Sequence, residues 1–159
     1  MKNKLTGFTA IEMMVVVAII AILAAIAIPS QMGRIVKEQV VAAIPLADIA
    51  KEPIAASWKA AKTLPVDNKE AALPAAEKVV SNFVSALEVK DGVINITFGN
   101  KAHPKIAGKI LSLRPAVIEE SQVVPIAWVC GNAKAPDKMK VKGDNKTNVS
   151  ADYLPFVCR

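Results

Sequence analysis

Glu12 is a lone carboxylate in a long apolar stretch, and its position invites chemistry. From Phe8 to Ile28 the only other polar residue is Thr9. A carboxylate at that depth in a bilayer costs on the order of 2.5–3.5 kcal/mol, so it calls for a partner. Glu12 lies four residues after Phe8, hence on the same face of a helix. A cut between Gly7 and Phe8 would create a cationic amine one turn from that carboxylate. Within one chain, or between packed copies, the two groups would neutralise each other in apolar surroundings. The plainer alternative is a helix that starts near Glu12, with the acid among headgroups beside the positive end of the helix dipole.

Other reactive constellations are few. The single histidine, His103, precedes Pro104 and reads as a surface turn residue, which leaves no histidine-based metal or triad site. Glu119 and Glu120 are neighbours, and neighbouring side chains on a strand or loop point apart rather than forming an acid/base pair. The two cysteines, Cys130 and Cys158, fit a single disulfide. Nothing in the sequence resembles a phosphate-binding loop, a zinc ligand set or a nucleophile elbow. The chain reads as a non-enzyme with no cofactor and no metal.

The elements that must carry Glu12 follow from the distribution of apolar residues. The 159 residues are 53% hydrophobic but also 21% charged, with 20 Lys+Arg against 14 Asp+Glu and a net charge of +6. That combination excludes a polytopic membrane protein and suits one apolar segment attached to one ordinary domain. Met13 to Ile28 is unbroken apolar sequence, hydrophobic on all faces. A helix over Phe8 to Ile28 would span roughly 32 Å, about the hydrocarbon thickness of a bilayer. Lys2 and Lys4 precede it and would hold the N-terminus in the cytoplasm. A single-pass anchor results. A cleaved secretory signal is the competing reading, with Ala25 and Ala27 mimicking a cleavage site, although the apolar run is long for one.

Gly7-Phe8-Thr9-Ala10-Ile11-Glu12, with the apolar run and Pro29 behind it, resembles the class III signal of type IV pilins. The similarity runs over the 22 positions of FTAIEMMVVVAIIAILAAIAIP. The resemblance implies that residues 1–7 are a leader, removed after Gly7 by a prepilin peptidase on the cytoplasmic side, with N-methylation of Phe8. It implies that Glu12 guides docking by pairing with the Phe8 amine of a neighbouring subunit. Residues 8–29 would then leave the bacterial inner membrane, handled by the assembly machinery there, and form the core of an extracellular fimbrium, a helical homopolymer. A seven-residue basic leader suits the type IVa subgroup. The chain departs from the family pattern in carrying Ala21 where glycine is common, and Ala10 and Met13 where leucine is common. Interior glycine costs a helix about 1 kcal/mol relative to alanine, so Ala21 resists local melting, while Pro29 removes one backbone donor and can start a kink.

Residues 30–159 read as the globular domain. Gln31 to Leu64 continues the helix with an apolar stripe of Ile35, Val36, Val40, Ala43, Ile44, Ala47, Ala50 and Ile54. Pro45 and Pro53 should bend or break it, Pro65 should end it, and Trp58 reads as a packing anchor. Asp67 to Val80 reads as a loop with a short helix. Strands are expected over 82–89, over Val93 to Phe98 after an Asp91-Gly92 turn, over 110–114 with a stop at Pro115, and over 122–130. The expected class is α+β, a long helix on a four-stranded antiparallel sheet spanning 82–130. The runs GVINITFG, GKILSLRP and Trp128-Val129-Cys130 are also similar to type IV pilin domains, more weakly than the N-terminus.

Outward translocation would place Cys130 and Cys158 in an oxidising compartment, which favours a disulfide over free thiols. The resemblance points to the same pair, bounding a D-region at 130–158. Inside it Lys134, Lys138, Lys140, Lys142 and Lys146 accompany only Asp137 and Asp144 between residues 134 and 146. An anion or DNA contact is one reading and a solvated loop the other, and no arginine or aromatic interleaves the lysines to stack on bases. The leading function is a pilus subunit serving adhesion, twitching motility or DNA uptake. Its alternatives are a minor pilin acting as a DNA or surface receptor, and a type II secretion pseudopilin, against which the disulfide counts.

Overall fold

A computed structural model describes residues 7–159, so residues 1–6 of the expected 1–7 leader lie outside it. The chain divides into two compact units between Ile35 and Val36. The first described element, α1 (Ala10–Ala43), is one unbroken helix that continues through Pro29. It begins on a capping box. Thr9 Oγ1 accepts from the Glu12 N–H at 3.3 Å, and the Thr9 N–H donates to Glu12 Oε2 at 2.8 Å. Two of the donors that a helix start leaves unpaired are thereby satisfied. The Ile, Leu, Met and Ala side chains from Ile11 to Ile26 are exposed, as expected of a helix whose solvent is not water. It is long and apolar enough to cross a membrane.

The second unit, Val36–Arg159, contains the end of α1, a 3-10 turn (Ile44–Ala47) and α2 (Asp48–Ala61). Pro45 sits at the start of the 3-10 turn, where a missing N–H costs nothing, and breaks the long helix there. Pro53 stays inside α2 without breaking it. The helix ends earlier than Pro65 would require, because Lys62 adopts a left-handed conformation (φ 57°) and its N–H closes onto the Trp58 carbonyl at 2.9 Å. The stripe Val36, Val40, Ala43, Ala47, Ala50 and Ile54 is fully buried, spaced alternately by four and three residues as one helix face requires. Trp58 is buried as well, and its indole Nε1 finds no acceptor among the described residues.

That stripe packs on an antiparallel sheet ordered β1 (Val84–Lys90), β2 (Val93–Phe98), β3 (Ile110–Val117), β4 (Ala127–Cys130). Leu87, Ile94, Ile96, Phe98, Leu111 and Leu113 meet the helical stripe in one core. Burial of each such side chain stabilises the fold by about 1.5–3 kcal/mol. The β1–β2 turn is the expected Asp91-Gly92 pair, both with positive φ (50° and 77°). Gly92 is also required sterically, since a Cβ there would lie 2.8 Å from Leu64 Cβ. Three expectations need correction. The strand expected over 122–130 begins only at Ala127, after Pro125, which has no N–H to give a ladder. Pro115 does not stop β3, which continues to Val117 and pairs Pro115 with Trp128. Pairing with β2 has ended at Leu113, so no ladder bond on that side needs the missing N–H, and the Pro115 carbonyl still accepts from Lys142 N at 2.8 Å. The four strands also gain a fifth, β5 (Lys140–Val141), which pairs with Ala116 and Val117 and falls in a segment expected to be irregular.

Asn68 protects the outer edge of β1. Its Nδ2 donates to the carbonyls of Leu87 and Pro74, each at 2.9 Å, and its Oδ1 accepts from Val89 N at 2.5 Å. One amide side chain thus does what a neighbouring strand would do and ties the loop after α2 to the sheet. Asn68→Ala strands three backbone groups, and each buried unpaired group costs about 1–3 kcal/mol. Thermal unfolding followed by circular dichroism should show a loss of about 2–4 kcal/mol, the size expected when a buried hydrogen-bond network is broken.

Candidate functional site

Gly7 and Phe8 precede α1 and are exposed, and together with Thr9 and Glu12 they line one concavity at the start of the helix. A second, apolar concavity is shared by Phe8, Ile11, Glu12, Val15 and Val16. The structure therefore brings Gly7, Phe8 and Glu12 together. It places Pro29 farther along α1, apart from that cluster. A Cβ at Gly7 would meet nothing within 4 Å among the described residues. The described residues make no steric demand for glycine at that position. Thr9 is the residue that the sequence reading passed over. Its hydroxyl donates to Glu12 Oε2 at 2.7 Å, so Thr9 N–H and O–H both hold the same carboxylate oxygen. The signal was present as Thr-x-x-Glu before an apolar run.

At the other end of the chain Cys130 and Cys158 are joined in a disulfide across 28 positions of sequence. In the chain-entropy model, closing a loop of this size stabilises the fold by roughly 3–4 kcal/mol. The enclosed segment is better ordered than its polarity suggests. Val149 and Leu154 reach the core. The buried Ser112 on β3 donates to Asn95 Oδ1 at 2.7 Å, and the same hydroxyl accepts from Lys146 N at 3.0 Å. Ser112 N donates to Thr147 Oγ1 at 3.0 Å, and Asn148 exchanges two bonds with the Ile110 backbone. Gly131 has φ 56°, and a Cβ there would lie 2.5 Å from the Cys158 carbonyl oxygen, so only glycine lets the two ends of the loop close this tightly.

The structure disperses the five lysines more than their sequence suggests. Lys140 and Lys142 both donate to Glu119, the former at 2.5 Å. Lys146 lies 3.6 Å from Glu88. Lys134 and Lys138 have no carboxylate partner among the described residues. Glu88, Glu119, Asp137 and Asp144 thus stand among the five lysines, and little net charge remains to hold a polyanion. The hydrogen bonds from Lys140 and then Lys142 pull the Glu119 carboxyl down from its ordinary 4.5 to about 2, while Glu119 raises the Lys140 ammonium. Because the folded carboxyl is the stronger acid, this contact is fully present above about pH 4.5 and is lost as pH falls toward 2. A carbon-detected NMR titration should place the Glu119 midpoint at least one pH unit below the ordinary carboxyl value of 4.5. A midpoint near 4.5 would show that the clamp does not persist in solution.

The chain thus joins an exposed apolar helix with a capped carboxylate at its start to an α+β domain closed by one disulfide. Residues 36–159 match the family described as "Pilin (bacterial filament)", and residues 2–28 match the prokaryotic N-terminal methylation motif. The chain belongs to the pilin family. It is 32% identical over 162 residues to a fimbrial protein of Neisseria meningitidis serogroup B, covering 96% of this chain and 93% of that one. It is 31% identical to the type IV major pilin protein PilE of Neisseria gonorrhoeae, with 96% and 93% covered. With a type IV major alpha-pilin of Moraxella bovis it shares 33% identity, with 98% of each chain covered. The particular class is the type IV pilin, and the chain is a structural subunit of a pilus that polymerises with its own copies. The receptor and pseudopilin alternatives are not favoured by these relatives.

Proposed function

We propose that the chain is made as a membrane-anchored precursor with a cytoplasmic N-terminus and is cut between Gly7 and Phe8 by a prepilin peptidase. Residues 1–7 are the leader, 8–29 the membrane and filament-core segment, and 30–159 the exposed domain. The Phe8 amine, once freed and N-methylated, pairs with Glu12 of a neighbouring copy as the helix leaves the inner membrane for the fibre. The observation that supports this most directly is the clustering of Gly7, Phe8 and Glu12 at the capped start of an exposed apolar helix. The carboxylate is already held at the helix end where the new amine appears. Pro29 would serve assembly through the path of the helix backbone. No catalytic step is assigned to the chain.

Electron microscopy of sheared surface material, with mass spectrometry of its N-terminus, tests the reading. Fibres made of chains that begin at methylated Phe8 are expected. Fibres of full-length chains, or surface material without fibres, would overturn it. The same preparation decides the role of the lysine-rich loop. With Lys140, Lys142 and Lys146 near carboxylates, purified fibres should retain DNA weakly on filters.

A further inference from the structure

The most exposed large apolar side chains of the second unit are Val123, Phe156 and Val157, at 88%, 87% and 70%. They fall at two places. Phe156 and Val157 form a knob on a short 3-10 turn (Phe156–Cys158) held by the disulfide to the C-terminal end of β4. Val123 lines, with Val124, Pro125 and Ile126, a mainly apolar groove that Ala55 and Trp58 of α2 complete and that Lys59 and Gln122 flank, immediately before the N-terminal end of β4. The groove encloses about 270 Å³, room for one aromatic side chain and its neighbour. Knob and groove thus sit at opposite ends of one four-residue strand, separated by about 13 Å of chain rise, and a rigid knob cannot reach the groove of its own chain.

We infer that Phe156 and Val157 of one subunit seat in the Trp58–Ile126 groove of a neighbouring subunit in the same fibre. A knob and a groove on different surfaces make a heterologous contact, which propagates into an open filament instead of closing into a dimer. Area selects the occupant. Two side chains bury far less than the roughly 1,200–2,000 Å² that a stable free-standing complex needs, so this contact cannot capture a separate partner. It acts only where another interaction already holds the copies together, and there the high effective concentration makes a small contact count. The interaction rests on the proposed polymerisation and adds a lock between exposed domains to the helical core. Aromatic anchors in apolar pockets carry much of the energy of such contacts.

A photo-reactive phenylalanine analogue at position 156, in fibres assembled from mixed light and isotopically heavy chains, tests the contact. Light–heavy cross-links from position 156 to peptides containing Trp58 or residues 122–126 are expected. In parallel, Phe156→Ala should leave the amount of processed chain in the membrane unchanged but cut the fibre surviving a heat or detergent challenge by about ten-fold, the loss of one hot-spot residue. Phe156→Leu should retain most of that resistance. Absence of fibres from the unaltered chain would sink the proposed function and this contact with it. Fully resistant Phe156→Ala fibres, or cross-links confined to other surfaces, would overturn the contact alone.

Discussion

Gly7→Val should leave the precursor uncut and reduce surface fibres to background. The substitution isolates processing from folding. A side chain at position 7 meets nothing within 4 Å among the described residues and lies outside the globular domain, so the domain should fold and the precursor accumulate normally. A peptidase that binds the residue before the scissile bond closely, against its own backbone, has no such tolerance for a branched side chain. Failure to cut has two further consequences. The Phe8 nitrogen stays an uncharged amide, so Glu12 gains no cationic partner. Lys2 and Lys4 also remain attached, and drawing each through hydrocarbon costs on the order of 2.5–3.5 kcal/mol. Both effects oppose extraction into a fibre. The measurements are the mass of the membrane-held chain and electron microscopy of the cell surface. Abundant fibres built from uncut Gly7→Val chains would end the processing role of this site.

The parts of this molecule written in local sequence were legible, and the parts made by distant contacts were not. β2 runs from Val93 to Phe98 as its alternation requires, and the Asp91-Gly92 turn before it depends on two adjacent residues alone. The helix start and the cluster at Gly7, Phe8 and Glu12 lie within six residues, close enough for spacing to specify them. Pro115 misled because a proline is judged by its missing donor, whereas tolerance depended on where β2 stops pairing, at Ile94, 21 residues away in the chain. β5 has only two residues and no pattern of its own. It exists because the disulfide and the Ser112–Lys146 bond bring 140–141 beside the end of β3. The lysine-rich loop looked like a basic patch because Glu119 and Glu88 are far away in sequence, and folding supplies both carboxylates. Asn68 gave no warning at all, since nothing in a polar loop residue says that a strand edge will need covering.

Glu12→Ala should still be cut and inserted, yet form almost no fibre. The substitution removes two things of unequal weight. One is the capping box with Thr9, whose loss weakens the helix start by about 1 kcal/mol, too little to unmake a long apolar helix in a membrane. The other is the carboxylate that the freed Phe8 amine of a neighbour would meet. Removing one partner of a charge pair in apolar surroundings typically costs about 3–5 kcal/mol, because the remaining ion is stranded. Repeated at each added subunit, that penalty lowers the elongation equilibrium by roughly two to four orders of magnitude. Glu12→Gln separates the two contributions. Its amide oxygen can still accept from Thr9 N–H and preserve the cap, but it carries no charge. If pairing dominates, Gln will resemble Ala in fibre yield while matching the native chain in processing and membrane level. If capping were the whole role of Glu12, Gln would restore the fibres. Processing is read from the mass of the membrane-held chain, and assembly from the quantity of sheared fibre. Native fibre yield from Glu12→Gln would therefore dismiss the charge pair even with Glu12→Ala defective.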